Sequence, residues 1–390
     1  MIEPVFLSGL GVVSAAGMNV PETLTGFASG RRNVCRTRQV STPLDYPVFE
    51  VRSALRGAGE PRSRTVQLCF HALDEALARA GLGRDLSSLR VGVCMGTTIA
   101  SQLNDMEFYT AYRRSGQAPM EAVETFLDSN VAEAVARELR VSGPCVTVVN
   151  ACSSGADAIG MALSWLRAGF CDLAIAGGAD ELNRIPICGF ASLSVSSREP
   201  CRPFDRDRQG LNLGEGAGVL ILETRATARQ RGANPELCVA GYGAACDAYH
   251  LTAPRPDGSG LESAVRKSLL QAGVQFDDVC FVNAHGTATR ENDKVEGGVL
   301  ARLFGGDVKV LSTKGFTGHT LGAAGALEAA FTALALLEGW IPASPGFETK
   351  DEEIPIGAVR EKTAIAGRYA ISTSLAFGGN NASLLIGRAE

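Results

Sequence analysis

The sequence lacks the features that mark nucleic-acid-binding, membrane-spanning and secreted proteins. Its 390 residues carry a formal net charge of −5 and no basic block, so a nucleic-acid partner has no electrostatic support. No uninterrupted apolar stretch is long enough to cross a bilayer, which predicts that the protein has no membrane partner. The N-terminal MIEPVFLSGLG has an acid near its start and no basic segment, unlike a signal peptide. We therefore expect a cytoplasmic protein.

Paired cysteines and clustered metal ligands are also missing. The eleven cysteines are odd in number and scattered, and none forms a C-x-x-C pair, which argues against zinc ribbons and disulfide frameworks. The segments GLGVVS and GYGAAC lack the third glycine of a dinucleotide fingerprint. We therefore predict no metal and no cofactor. Histidine is scarce, with four residues, and two of these, His285 and His319, lie in glycine-rich motifs.

The sequence does contain an alternation of strand-like and helix-like segments. Short runs rich in Val, Ile and Ala alternate with Ala- and Leu-rich stretches, which is typical of an α/β protein with buried strands. Helices with apolar residues at three- and four-residue spacing are predicted at 65–80, 154–169, 261–273 and 321–338. The ten predicted strands are PVFLSGLGVVS, LRVGVCMGT, CVTVVNAC, CDLAIAGGA, GAGVLILE, LCVAGYGAA, VCFVNAHGT, VKVLSTKG, RYAISTSLAFG and ASLLIGRAE.

The order of these elements indicates an internal duplication. In the first half, FLSGLGVVSAAG is followed by a helix, then VGVCMGTT, then VNACSSGADAIG with its helix, then LAIAGGAD. In the second half, VAGYGAACDAY is followed by a helix, then FVNAHGTAT, then STKGFTGHTLGAAG with its helix, then AISTSLAFGGN. The polar segment 222–237 joins the halves, so we predict one domain over 1–230 and a second over 231–390. The stretch 97–140 has no counterpart in the second half and is predicted to be an inserted cap or interface segment.

A cysteine stands where a strand gives way to a helix in VNACSSGADAIG, residues 149–160. A helix N-terminus favours a thiolate, and its free backbone N–H groups can bind the oxyanion of an attacked carbonyl. The small neighbours of Cys152 leave room for a substrate. Most cysteines are buried structural residues, but this position and these neighbours favour a nucleophile.

Three further motifs contain candidate site residues. In NAHGTATRENDKVE, residues 283–296, His285 ends an apolar run, while Asp293 and Glu296 either face solvent or pair with a lysine beneath the site. In STKGFTGHTLGAAGALEAA, residues 312–330, Lys314 and His319 precede a helix of small and apolar residues, and a buried lysine and histidine there are hard to explain structurally. In SLAFGGNN, the glycines after the phenylalanine allow the backbone to approach a ligand, or form an ordinary loop.

Taken together, these motifs resemble those of the β-ketoacyl-acyl-carrier-protein synthases, which have a thiolase-like fold. The motifs ACSSG, PFDRDRQG…GEGAG, DAYHLTAP, AHGT and KGFTGHTLGAAG stand in the family's order along nearly the whole chain. The sequence is most similar to the elongating type with a Cys-His-His site. The resemblance implies two duplicated α/β halves in a layered α-β-α-β-α architecture, and a decarboxylative Claisen condensation with malonyl-acyl-carrier-protein.

The resemblance also implies a role for each motif residue. Cys152 is the acylated nucleophile, and His285 and His319 assist decarboxylation and stabilise the enolate. Lys314 holds the histidine environment, together with Glu296. The remaining implied residues are Phe377 as oxyanion donor and gate; Thr287, Thr289, Gly378, Gly379 and His250 in pantetheine or acyl binding; and Glu296 and Asp293 in structural support.

The implied partners are acyl carrier protein and a second copy of the chain in a homodimer. Because carrier protein is acidic, a local basic patch is expected, with Arg62, Arg64, Arg206 and Arg208 as candidates. Ala376 and Asn380 stand where the family more often has Gly and Thr, and no proline follows Thr289. The resemblance therefore does not determine the shape of the acyl pocket.

Two other functions and two pathways remain open at this level. The chain resembles chain-length factors, which are non-catalytic partner subunits of ketosynthases, but those lose the nucleophile. A thiol hydrolase would use Cys152 and one histidine and leave the second histidine and Lys314 unexplained. Within the condensing enzymes, fatty-acid elongation and a specialised polyketide or aryl-polyene pathway both fit the motifs.

Overall fold

The computed structural model describes residues 5–56, 62–100 and 105–389. Within them lie twelve strands and twelve α-helices, with short 3₁₀ segments at Phe276–Asp278 and Leu321–Ala323. The strands are β1 Val5–Ser14, β2 Val91–Gly96, β3 Cys145–Val148, β4 Leu173–Asp180, β5 Gly216–Glu223, β6 Leu237–Cys246, β7 Val279–Asn283, β8 Lys309–Leu311, β9 Trp340–Ile341, β10 Thr363–Ala364, β11 Tyr369–Ala376 and β12 Asn380–Arg388. The helices are α1 Val20–Ser29, α2 Arg64–Arg79, α3 Met106–Ser115, α4 Glu121–Asp128, α5 Val131–Leu139, α6 Ser154–Arg167, α7 Arg184–Ser192, α8 Arg225–Gln230, α9 Ser259–Ala272, α10 Arg290–Phe304, α11 Lys314–Thr317 and α12 Ala324–Glu338.

Ten of these strands form one sheet whose two halves repeat each other. The order is β3-β2-β4-β5-β1-β6-β12-β11-β7-β8, so each half reads the same from its outer edge to the centre. The halves meet where β1 and β6 pair antiparallel over three residues, with Phe6 opposite Cys238. In each half the three outer strands are parallel, and the innermost pairs are antiparallel. This arrangement is the duplication predicted from the sequence.

Helices cover both faces of the sheet and also separate its two halves. Helices α6 and α12 pack against each other and against strands of both halves, because their small residues allow close approach. At Gly155 an added Cβ would lie 2.8 Å from the carbonyl oxygen of Gly322. Helices α2 and α9 cover the outer faces. The predicted layered α-β-α-β-α architecture is confirmed.

One stretch among the described residues, Leu321–Glu338, is long and apolar enough to cross a membrane. It is 89% buried inside the protein, as the core helix of the central layer. Its apolar composition therefore serves packing between the two halves of the sheet.

The stretch 97–140 contains α3, α4 and α5. Helix α5 is anchored in the outer core by Val131 and Val135, whereas α3 and α4 contain no buried residue. Residues 101–104 of this stretch lie outside the described residues. Its assignment as a cap or interface segment and the domain division after residue 230 stay predictions.

Candidate active site

The nucleophile candidate lies on a sharp strand–turn–helix connection. Strand β3 ends at Val148, and α6 begins at Ser154. Between them Ala151 has a φ of 49°, a left-handed conformation that a residue with a Cβ rarely adopts. The Ser154 hydroxyl holds this turn, because it accepts a hydrogen bond from the Asn150 N–H at 2.8 Å and donates one to the Ala151 carbonyl at 2.6 Å. The turn presents the Cys152 side chain at the start of α6.

Two donors surround the Cys152 sulfur, which is 5% exposed. His319 Nε2 lies 3.1 Å from Sγ, and the backbone N–H of Phe377 also donates to the sulfur. Burial raises the pKa of the thiol to about 11, although the positive charge of Lys314 and the Phe377 N–H lower it. Burial therefore opposes the thiolate that the helix start is expected to favour.

Hydrogen bonds fix the His319 ring in one tautomer. The backbone N–H of Leu321 donates to Nδ1 at 3.3 Å, so Nδ1 is the acceptor and Nε2 carries the hydrogen. Burial lowers the pKa of this imidazole well below its ordinary value, and Lys314 lowers it further. A neutral ring therefore directs its Nε2–H towards Cys152.

His285 follows the end of β7 and is held in the same tautomer by Lys314. The lysine Nζ lies 3.0 Å from Nδ1 and donates to the His285 carbonyl at 2.6 Å. An ammonium group has only donors, so Nδ1 accepts and Nε2 carries the hydrogen. Burial lowers the pKa of His285 well below its ordinary value, with Lys314 and His319 lowering it further. The His285 and His319 rings stand edge to face, with centroids 5.2 Å apart.

The ion-pair partner of Lys314 is Glu328 in α12. Lys314 is buried, and its Nζ donates to Glu328 Oε1 in a short contact. Burial raises the pKa of Glu328 to about 7, against the lowering effect of Lys314. Of the two alternatives for Glu296, exposure to solvent or pairing with a lysine, the ion pair of Lys314 with Glu328 replaces the second. Sequence reasoning missed Glu328, although an acid within the otherwise small and apolar GALEAAFTAL was the available signal.

Glu296 and Asp293 instead hold the backbone around His285. Glu296 accepts from the backbone N–H groups of His285 and Gly286, both at 2.8 Å, and from the Thr373 hydroxyl at 2.7 Å. Asp293 accepts from the backbone N–H of Phe204 at 2.7 Å and of Ala288 at 3.2 Å. Neither carboxylate faces solvent. Both residues therefore fix the turn that carries the histidine.

A cavity of about 410 Å³ connects these groups to the surface. Cys152, His285, His319 and Phe377 all line it. Thr287 and Thr289 line it as well, with their hydroxyls 2.9 Å apart. The Phe377 ring stacks on Phe190 with centroids 5.4 Å apart, a contact that no sequence motif indicated.

Three predicted binding residues are not among the lining residues of this cavity. His250 is exposed, and its Nδ1 accepts from the N–H groups of Thr252 and Ala253, both at 3.1 Å. Gly378 and Gly379 have φ of 89° and 83°, so they supply the turn after Phe377. These residues shape the loops beside the cavity.

Two of the four arginines expected in a docking patch form ion pairs within the chain, and one of these two is buried. Arg64 donates to both carboxylate oxygens of Glu215, at 2.6 and 2.8 Å. Arg208 is buried and lies 2.6 Å from Asp351. The expectation for Arg208 is therefore wrong because its guanidinium is buried, whereas Arg64, whose side chain is 20% exposed, stays a prediction. Arg62 and Arg206 have exposed side chains that could face a partner.

No group of three or more His, Cys, Asp or Glu side chains suited to a metal ion occurs within residues 5–56, 62–100 and 105–389. The site thus consists of a thiol, a buried lysine and two neutral imidazoles that line the cavity and carry their hydrogen on Nε2. Such a set can hold an acyl group on sulfur and donate hydrogen bonds to developing oxyanions.

Two family models match the sequence. The model of the β-ketoacyl synthase N-terminal domain matches residues 57–228, and that of the C-terminal domain matches residues 237–348. A 3-oxoacyl-[acyl-carrier-protein] synthase 2 of Rhizobium meliloti (strain 1021) is 36% identical over 81% of this chain and 79% of its own length. The protein of that name in Staphylococcus aureus (strain N315) is 32% identical over 99% of this chain and 98% of its own.

Solved structures with similar folds include several ketosynthases. The ishigamide ketosynthase/chain length factor superposes with a TM-score of 0.92 at 30% identity, covering 100% of both chains. A β-ketoacyl synthase from Burkholderia phymatum STM815 gives the same values. A ketosynthase in complex with its chain length factor from Xenorhabdus doucetiae gives a TM-score of 0.85 at 31% identity, covering 99% of this chain and 98% of that one.

Proposed function

The chain belongs to the β-ketoacyl synthase family, and on that premise we propose that it is a 3-oxoacyl-[acyl-carrier-protein] synthase. It joins an acyl group held on Cys152 to a malonyl unit, with loss of CO₂. The observation that carries this proposal is the convergence of the Cys152 thiol with the Nε2–H groups of His285 and His319 at one cavity. The ring nitrogens facing away from the reaction are both occupied by donors.

The first step moves the acyl group from a carrier thioester to Cys152. The sulfur attacks the thioester carbonyl, the bond to the leaving sulfur breaks, and the proton of Cys152 ends on the leaving thiol. Because burial disfavours the free thiolate, the donors at Sγ are what hold the charge as it forms. These are the His319 Nε2–H and the Phe377 N–H, supported by the charge of Lys314.

The second step is decarboxylation of malonyl thioester. Once Cys152 carries an acyl group, the His319 Nε2–H no longer donates to a sulfur anion and can donate to the carbonyl oxygen of the malonyl thioester. The carbon–carboxylate bond breaks, CO₂ leaves, and the electron pair passes into an enolate whose oxygen accepts from both histidines. Burial lowers the pKa of His285 and Lys314 lowers it further, while the lysine also sets the required tautomer, so the part of Lys314 is positioning and electrostatic.

The third step forms the carbon–carbon bond. The enolate carbon attacks the acyl carbonyl, whose oxygen accepts from the N–H groups of Cys152 and Phe377. Collapse of the tetrahedral intermediate expels the Cys152 sulfur and releases a 3-oxoacyl thioester two carbons longer. The expelled thiolate takes up one proton from water, which balances the loss of the malonyl carboxylate as CO₂. Loss of CO₂ drives the reaction, so no bound cofactor is invoked.

The partner in both half-reactions is proposed to be acyl carrier protein. Thr287 and Thr289 line the cavity with hydroxyls suited to the amides of a pantetheine arm. Arg290 is exposed, lines the same cavity and begins the fifteen-residue helix α10. Its guanidinium is suited to bind the phosphate of the pantetheine arm.

A homodimer is proposed on the grounds of the exposed β3 edge. Strand β3 ends the ten-stranded sheet, and Val146 and the adjoining Val149 are 37% and 54% exposed. An unprotected edge with apolar side chains is suited to pairing with a second copy. A cytoplasmic location is proposed because all eleven cysteines are free thiols.

The non-catalytic partner-subunit alternative is not favoured, since the nucleophile and both histidines are in place. Fatty-acid synthesis and a related polyketide or aryl-polyene pathway remain the two proposed settings. The test is to offer a panel of acyl carrier proteins together with malonyl carrier protein and to read the products by mass. The expected product is two carbons longer than the acyl donor and contains a 3-oxo group. Hydrolysis of the acyl donor without condensation would instead support a thiol hydrolase.

A further inference from the structure

We propose that Asn380 is a positioning residue, whose hydrogen bond to Asn150 latches the loop of residues 377–379 over Cys152. The latch sets the rate at which electrophiles reach the sulfur. This inference rests on the proposed function only in taking the electrophile to be an acyl thioester.

The latch is a direct side-chain contact between the two loops that carry the reacting groups. Asn380 Nδ2 donates to Asn150 Oδ1 at 2.6 Å, although the two residues are 230 positions apart in the chain. Asn150 lies two residues before the nucleophile, and Asn380 follows the Phe377-Gly378-Gly379 turn directly. The contact therefore joins the nucleophile turn to the Phe377 loop.

The Asn150 end of the latch is rigidly held. Asn150 Nδ2 donates to Asp157 Oδ2 at 2.5 Å, which leaves Oδ1 as the acceptor for Asn380. The Asp157 carboxylate also accepts from the Ser153 hydroxyl at 2.8 Å and from the Tyr242 hydroxyl at 2.7 Å. Burial, and then Asp157, raise the pKa of Tyr242 above its ordinary value, so this phenol stays a donor. Asn150 thus belongs to a network anchored on α6.

The Phe377 end is a two-glycine turn that is also held by backbone hydrogen bonds, from the Gly378 N–H to the Leu251 carbonyl at 2.8 Å and from the Asp247 N–H to the Gly379 carbonyl at 2.7 Å. Gly378 and Gly379 both have left-handed φ, and two adjacent glycines give a turn that reorients at little steric cost. In the conformation observed here, the Phe377 N–H donates to Sγ and its ring stacks on Phe190. A surface cavity of about 670 Å³, lined by Asn150, Asp157 and Asn380, leaves room for Asn380 to move away.

The test is the alkylation rate of Cys152 by iodoacetamide in the full chain, followed by peptide mass spectrometry. The half-buried Cys35, outside the active cavity, serves as the internal reference. Asn380→Ala and Asn150→Ala should each raise the Cys152/Cys35 rate ratio about threefold to tenfold, the range expected for one net hydrogen bond. The double variant should give the same gain as either single variant, because both changes remove one contact.

A matched control is Asn19→Ala, which deletes another asparagine hydrogen bond, from the Glu22 N–H to Asn19 Oδ1 at 2.9 Å. Its ratio should equal that of the parent. The proposal is overturned by an unchanged ratio in Asn380→Ala, by gains that multiply in the double variant, or by an equal gain in the control. Alkylation requires no condensation, so loss of the proposed function would show separately, as missing product with this pattern intact.

Discussion

His319 presents a hydrogen, not a lone pair, to the sulfur of Cys152. Its Nε2 lies 3.1 Å from Sγ, and its Nδ1 already accepts the backbone N–H of Leu321. The ring therefore acts at this distance as a donor to negative charge. The two histidines therefore differ in role, because among the described residues the hydrogen bond to the Cys152 sulfur comes from His319 and not from His285.

We predict that His285→Ala and His319→Ala differ in the step they slow. His285→Ala should reduce malonyl decarboxylation about 100- to 1000-fold, as expected for one lost oxyanion donor, and leave Cys152 acylation within a few-fold of the parent. His319→Ala should slow both steps, because it also removes a donor at Sγ. Rapid-quench mass spectrometry measures acylation, and CO₂ release in a Cys152→Gln background measures decarboxylation. The exposed His250→Ala is the control. Equal effects of both variants on acylation would contradict this division.

The neutral histidines predict how stability depends on pH. The pKa of His285 lies well below 6.5 in the folded protein because the ring is buried and faces Lys314. As pH falls through 6.5, the unfolded chain takes up a proton there that the folded protein does not, so the free energy of unfolding falls. One such site contributes up to about 1.4 kcal/mol per pH unit. His285→Gln should therefore lose less stability than the parent between pH 7 and pH 5.5 in urea unfolding. Identical slopes would refute the assignment.

The ion pair between Lys314 and Glu328 predicts that a second substitution can restore the stability of a lysine variant without restoring its activity. Lys314→Met should destabilise the protein by several kcal/mol, since it leaves a buried carboxylate without its partner. It should also reduce condensation more than 100-fold, an estimate for the loss of electrostatic support at the site. Adding Glu328→Gln should restore stability, measured by chemical unfolding, but not activity.

The control for this pair is Lys294→Met, which removes an exposed ion pair with Glu353. Its stability should change by less than about 1 kcal/mol. If Glu296→Gln rather than Glu328→Gln restored the stability of Lys314→Met, the pairing described above would be incorrect.

The exposed β3 edge predicts how the oligomer comes apart. Val146→Lys places a charge on the proposed pairing edge, and charged edge strands resist pairing with another chain. Sedimentation velocity should find the parent dimeric and the variant largely monomeric with unchanged circular dichroism. Lysine at the exposed Leu270 of α9, away from β3, is the control and should leave the dimer intact. A parent that sediments as a monomer would contradict the proposed homodimer.

Much of the fold was predictable because its strands are buried runs that stand out locally. All ten predicted strands lie in the large sheet, and the four predicted helices occur within two or three residues of their expected bounds. The two-residue strands β9 and β10 were missed, since such short pairs are fixed by tertiary contact and have no periodicity of their own.

The active-site residues that lie in glycine-rich motifs were predictable from the sequence. Their interaction partners were not, where these lie in distant parts of the chain. Cys152, His285 and His319 stand in such motifs. Glu328 lies fourteen residues after Lys314 on another helix, and only its position in an otherwise small and apolar segment distinguished it from Glu296. Arg208 was misassigned because a sequence shows charge but does not show burial. The Asn150–Asn380 contact spans both halves of the fold, beyond the reach of local pattern.

The most direct measurement is peptide mapping of the protein after incubation with acyl carrier protein loaded with a saturated acyl chain. We predict one acyl adduct, on the peptide containing Cys152, that disappears when malonyl carrier protein is added and is absent from Cys152→Ala. A correctly folded protein that forms no adduct, or forms it on another cysteine, would contradict the assignment of Cys152 as the acyl carrier.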